Sequence, residues 1–377
     1  MGTQPLAGIR VADFSRVLAG PYATMMMADF GADVIKIEPP AGDETRAWSP
    51  PLAADGQSTY FSAVNRNKRS VMLDLTNADD LARARDLAAS ADVVIENFRP
   101  DVMAKFGLDY AHVRELNPGV IYCSLTGFGA EGGAQLAGYD LLVQAMGGLM
   151  SITGAPDGEP TKAGVALVDI IAGLNAFSGV LLALRERGAS GTGQHLQIDL
   201  LTSLLSALSN QASAALNTGR DPGRMGNAHP SISPYEVYRA ADRELVIAVG
   251  SDRHFAVLAE KLGRPELATD ARFATNADRV AHRHDLTREL ESALATATAA
   301  EWVDRLQSAG LPVGPVNSVT EAFDLARRLG LNPDIATERD GASIRSVANP
   351  IRLDTGAARY DLPAPLLGEH REATWLD

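Results

Sequence analysis

Apolar residues come in short runs along the first 126 positions, and the runs alternate with segments of helical spacing. Strand-like runs read at IRVADF (9–14), DVIKIE (33–38), DVVIENF (92–98) and VIYCSL (120–125). Helical patterns fall between them at 21–30, 79–89 and 100–115. This alternation predicts an α/β fold with a parallel sheet. Farther along, the run AGVALV ends at Asp169, where Ile170, Ile171, Leu174, Phe177, Val180, Leu181 and Leu184 recur three and four apart and predict a helix stopping near Gly188. Residues 195–216 read as a short strand running into a helix.

Turn-forming residues dominate 217–230, which predicts a linker. After it, 233–251 has the pattern of a hairpin, and helices are expected at 252–262, 278–295 and 299–309. The predicted organisation is a large Rossmann-like domain over 1–216, the linker 217–230, a smaller α+β domain over 231–314, and a segment 315–377 that returns to complete the large domain.

The chain has 377 residues, 46% of them hydrophobic and 21% charged, as ordinary globular proteins have. Its net charge of −13 argues against nucleic-acid and anionic-membrane partners, so any phosphate must be held by local Lys and Arg. Cys123 is the one cysteine, which excludes an internal disulfide and fits a reducing compartment. No uninterrupted apolar run approaches the ~18 residues of a membrane span, and a cytoplasmic protein is expected. The histidines show no metal-ligand spacing.

The candidate chemistry begins with Asp169. At a helix start its carboxylate would cap free backbone N–H groups, feel the positive end of the dipole, stay ionised and be available as a nucleophile. On local pattern alone a plain capping role is the favoured reading. Leu18-Ala19-Gly20-Pro21, after the first strand, is a turn that can face an anion. The cluster Arg66, Lys68 and Arg69 reads as a solvated face or a phosphate clamp. Gly127-Phe128-Gly129-Ala130-Glu131-Gly132 fits G-x-G-x-x-G, yet no amphipathic helix follows it, which leaves an NAD-dependent oxidoreductase a remote alternative.

Taken in order, Ala19-Gly20-Pro21, the segment from Asp29 to Pro39, Asn65 to Ser70, Glu96 to Pro100, Gly127-Phe128-Gly129, Gly138-Tyr139-Asp140, Gly193-Gln194-His195 and Leu367 to His370 resemble the family III CoA-transferases (the CaiB/BaiF family). The resemblance implies that Asp169 is the nucleophile that takes CoA from an acyl-CoA donor to a free carboxylic acid through a mixed anhydride and a β-aspartyl-CoA thioester. It implies CoA contacts at Ala19, Lys68, Arg69, Asn97, Phe98 and Lys105, an acyl site lined by Tyr139, and no tightly bound cofactor beyond the substrate itself. It also implies an interlocked homodimer. Gly147 and Gly148 are candidates for oxyanion contacts, and His254 is a candidate for the acyl pocket. α-Methylacyl-CoA racemases share the fold and are the alternative; they carry a histidine where this chain has Tyr139, and a tyrosine is a poor base at neutral pH.

Overall fold

The computed structural model describes residues 4–376. The chain forms two compact units: the larger holds the chain up to Leu149, Lys162–Arg220 and the chain from Leu329 on, and the smaller holds Met150–Thr161 and Asp221–Arg328.

The larger unit is built on six parallel strands, β1 (Arg10–Asp13), β2 (Asp33–Glu38), β3 (Lys68–Met72), β4 (Val93–Glu96), β5 (Ile121–Thr126) and β6 (Gln194–Asp199), in the order β3-β2-β1-β4-β5-β6. Alternation along the strands divides the core. Val11, Val34, Val93, Ile95, Ile121 and Cys123 pack with the helices Ala19–Asp29 and Leu167–Ser190. Ala12, Ile35, Val94 and Tyr122 pack on the other face with the helix Ala78–Ala89. Full burial of each large apolar side chain contributes about 1.5–3 kcal/mol. The strand order reverses between β1 and β4, so the loops leaving these two strands diverge and open a crevice at the carboxyl edge of the sheet.

Three differences from the sequence-based expectation have physical causes. β3 begins Lys68-Arg69, which reads as solvated surface; the strand forms because internal carboxylates take both charges. The helix expected over 100–115 breaks at Gly107, with φ of +62°, into Val102–Lys105 and Tyr110–Leu116. Finally, the Leu167–Ser190 helix has a window of mean hydropathy 2.0, long and apolar enough to cross a membrane by length and composition, although charged residues at its ends interrupt the run in the sequence. Here it lies against the sheet and the Ala19–Asp29 helix.

The smaller unit has the antiparallel order β7 (Tyr235–Arg239), β8 (Glu244–Ala248), β9 (Val313–Pro315). Phe255, Leu258, Leu286, Leu290, Trp302 and Leu306 from its helices form the core. The chain stays in this unit past 315: β9 pairs with β8, and Glu321 of the helix Val319–Arg328 bonds Arg243 at 2.8 Å. Residues 150–161 also belong to it, held by Arg224, which donates to the Ala155 and Gly158 carbonyls at 3.3 and 3.0 Å. After Leu329 come the hairpin β10 (Asp334–Arg339) and β11 (Ala342–Val347), then a tail tied to the larger unit by Asn349, whose Nδ2 donates to Asp29 at 3.0 Å.

Candidate active site

The crevice of the larger unit contains a cavity of about 330 Å³. Its walls come from the loop after β1 (Arg16 to Ala19), the loop after β4 (Asn97 to Pro100), the turn after β5, and Tyr139, Asp169 and Leu200. Backbone closeness makes the wall thin: a Cβ on Gly127 would meet the Gly138 Cα at 2.3 Å. The G-x-G-x-x-G pattern at 127–132 therefore belongs to a loop whose first glycine, Gly127, is required by contact with a second backbone segment, while Gly129 takes a positive φ of +84°.

Asp169 is the third residue of its helix and not its cap; the capping position is Ala166. The first-turn N–H groups are taken by another carboxylate. Asp140 Oδ1 accepts from Val168 N at 2.8 Å and from Asp169 N at 3.3 Å, and Asp140 Oδ2 accepts from Gln144 Nε2 at 2.6 Å. Gln144 Oε1 in turn accepts from Ala163 N at 2.8 Å, which fixes the approach to the helix. Asp169 is 9% exposed, and burial together with the charge of Asp140 pushes its carboxyl up to about 7. The expectation of a carboxylate held firmly ionised is corrected accordingly: desolvation outweighs the helix dipole here. Such a group is ionised in part at neutrality and poorly solvated when it is, which suits a nucleophile.

Tyr60 also faces this pair. Burial first, then the charges of Asp169 and Asp140, push its phenol up to about 12, so it stays a neutral O–H donor. Its ring meets Trp48 edge-on at 4.9 Å.

On the opposite wall, Asn97 and the Arg16 backbone clamp each other. Arg16 N donates to Asn97 Oδ1 at 2.8 Å, and Asn97 Nδ2 donates to the Arg16 carbonyl at 2.7 Å. The Arg16 guanidinium lies over the Phe98 ring, 4.4 Å from its centroid. Arg99 is exposed at the rim, as is Glu44.

Of the residues singled out from sequence, Ala19, Asn97, Phe98, Tyr139 and Asp169 meet in this cavity. Lys68 and Arg69 do not line it. Lys68 is fully buried, donating to Asp13 Oδ2 at 3.1 Å, Asn65 Oδ1 at 2.8 Å and the Pro21 carbonyl at 2.9 Å, and Arg69 is paired with Asp33 at 2.7 Å. Their charges are spent inside the fold, so they are no open phosphate clamp. Lys105 is exposed on its short helix. The Gly147 N–H is also spent, on the Val143 carbonyl at 2.7 Å, because Gly147 ends the Asp140–Met146 helix and leaves room for Leu204. This removes it as an oxyanion donor, while Gly148 is outside the cavity lining with φ of +88°. His254 lies exposed on the Asp252–Lys261 helix of the smaller unit. No group of His, Cys, Asp or Glu suited to a metal occurs among the described residues. Sequence reasoning offered a capping role for Asp140 but missed its action on Asp169, and missed Arg16 and Tyr60; the available signal for Arg16 was its place in the loop after the first strand.

The model of CoA-transferase family III matches residues 6–371. The chain is 47% identical to a succinate–glutarate CoA-transferase of Agrobacterium fabrum, over 97% of this chain and 94% of that protein. It is 40% identical to an acetyl-CoA:oxalate CoA-transferase of Acetobacter aceti, over 98% and 94%. The crystal structure of a CAIB/BAIF family protein from Brucella suis superposes with a TM-score of 0.90 at 42% identity, covering 98% of both chains. With a six-stranded parallel sheet and a buried aspartate in the first turn of a helix packed against it, this chain belongs to CoA-transferase family III and is an enzyme of the transferase class.

Proposed function

We propose that this enzyme moves CoA from a dicarboxylyl-CoA of four or five carbons to a second small dicarboxylic acid, with Asp169 as the covalent carrier. The observation that carries this reading is the buried Asp169 carboxyl on the wall of a cavity of about 330 Å³, with Arg16 on the same lining. The relatives named for succinate, glutarate and oxalate support the choice of acids.

The chemistry balances without an external energy source. An Asp169 oxygen attacks the thioester carbonyl, the C–S bond breaks, and CoA leaves as thiolate with a mixed anhydride on Asp169. The thiolate attacks the Asp169 carbonyl, the anhydride C–O bond breaks, and the donor acid departs, leaving a β-aspartyl-CoA thioester. An acceptor carboxylate attacks that thioester and expels the thiolate; the thiolate then attacks the acceptor's carbonyl and frees Asp169. Covalent carriage keeps the thioester's free energy through each step. Arg99 and Lys105, exposed and cationic, are the candidates for the CoA phosphates, with Ala19 and Phe98 lining the thioester end.

We also infer a homodimer. Leu174, Leu181 and Leu182 are exposed on the Leu167–Ser190 helix, and Leu205 and Leu216 on the helices that follow. A second copy is the occupant we propose for these exposed leucines; a monomeric mass in solution would refute it.

The transferase reading is tested by incubating the enzyme with succinyl-CoA and glutarate and separating the CoA esters by chromatography. Glutaryl-CoA formation that disappears in Asp169→Ala supports it. Unchanged transfer in that variant overturns Asp169 as carrier.

A further inference from the structure

Several of the large unit's arginines are spent on carboxylates, among them Arg46 on Glu38, Arg66 on Asp29, Arg69 on Asp33, Arg187 on Asp92 and Arg339 on Asp55. Arg16 differs. Its backbone is clamped by Asn97 at 2.8 and 2.7 Å, its guanidinium lies over Phe98, and no side-chain hydrogen bond or ion pair to it occurs among the described residues. Stacking uses the face of a guanidinium and leaves its in-plane N–H fork free for a carboxylate. The backbone that carries the ring is itself held, since Phe98 N donates to Glu96 Oε2 at 2.9 Å.

A cation so positioned on the lining of the Asp169 cavity has a definable partner. At about 330 Å³ the cavity takes a small acyl group and its thioester, and leaves the nucleotide end of CoA outside. Its lining also includes the apolar Leu18, Ala19, Leu125, Leu136 and Leu200 and the polar Thr126 and Tyr139; the other cation, Arg99, is exposed at the rim. We propose that Arg16 is the specificity residue: it binds the distal carboxylate of the dicarboxylic acyl group whose other carboxyl reacts at Asp169. Asn97 and Phe98 act through Arg16 as positioning residues. This rests on the transferase reading above and adds to it the feature that separates dicarboxylyl from monocarboxylyl substrates.

The test measures kcat/KM for succinyl-CoA and for butyryl-CoA, with glutarate as acceptor, in wild type, Arg16→Gln, Arg16→Lys and Phe98→Leu. Removing the charge is expected to lower kcat/KM for succinyl-CoA by about 100-fold and to leave butyryl-CoA within about threefold, collapsing the preference. Arg16→Lys should recover part of it, and Phe98→Leu should weaken it in the same direction, mainly in KM. Equal losses with both donors would assign Arg16 to the CoA phosphates and overturn the proposal, as would a wild type that prefers butyryl-CoA. An acyl or CoA adduct on Asp169 is expected in Arg16→Gln with either donor, so failure here is separable from failure of the covalent mechanism.

Discussion

Asp140 caps the helix that carries Asp169, and its charge adds to burial in raising the Asp169 carboxyl. Its Oδ1 accepts the Val168 and Asp169 N–H groups at 2.8 and 3.3 Å, while its negative charge, after burial, is the second cause of the raised Asp169 carboxyl. One side chain thus stabilises the helix start and makes the neighbouring carboxylate harder to ionise, two effects that mutation separates.

Asp140→Asn keeps an oxygen for the two N–H groups and removes the charge. The acid limb of kcat/KM, expected near pH 7 in wild type, should move to lower pH by about one unit. Asp140→Ala should add a loss of about 0.5–2 kcal/mol in unfolding free energy from the vacated helix start. Rate–pH profiles and denaturant titrations read the two effects.

Asp169→Asn should abolish transfer and raise stability at alkaline pH. The folded value of about 7 lies above the ordinary 3.8, so the contribution of Asp169 is whole below pH 4 and is lost as pH rises through 7. The variant should therefore match wild type near pH 4 and exceed it at pH 8.5, by up to about 4 kcal/mol. Unfolding measured at the two pH values decides this.

Lys68→Ala should destabilise by about 3–5 kcal/mol, because it leaves Asp13 with a buried charge missing one partner and Asn65 Oδ1 without its donor. The loss should appear without substrate present, as expected for a lysine that serves the fold. A variant of near-native stability with a raised KM for acyl-CoA would restore Lys68 to the binding site.

Gly127→Ala should lower the melting temperature and the activity together. The new methyl would fall 2.3 Å from the Gly138 Cα, a backbone atom that cannot yield as a side chain can.

Much of the fold was legible because the core strands announce themselves: β2 occupies the positions its apolar run indicates, and the apolar run before Asp169 marks the helix start within two residues. β3 was hidden because its first residues are cations, neutralised by Asp13 and Asp33 from far away in the chain. The same pairings turned an apparent phosphate clamp into a structural feature. The helix start near Asp169 was legible from local pattern, whereas the protonation of Asp169 was not, since burial and the charge of Asp140, 29 positions away, arise only from tertiary packing. Nothing in the local sequence singles out Arg16; only the ring of Phe98 and the amide of Asn97 reveal that its direction is set.

The most direct test of the covalent account is intact-protein mass spectrometry after incubation with succinyl-CoA alone, followed by peptide mapping and hydroxylamine treatment. The account predicts an acyl or CoA adduct on Asp169 that hydroxylamine removes and that Asp169→Ala never forms. An adduct on another residue, or the same adduct mass in the variant, would contradict it.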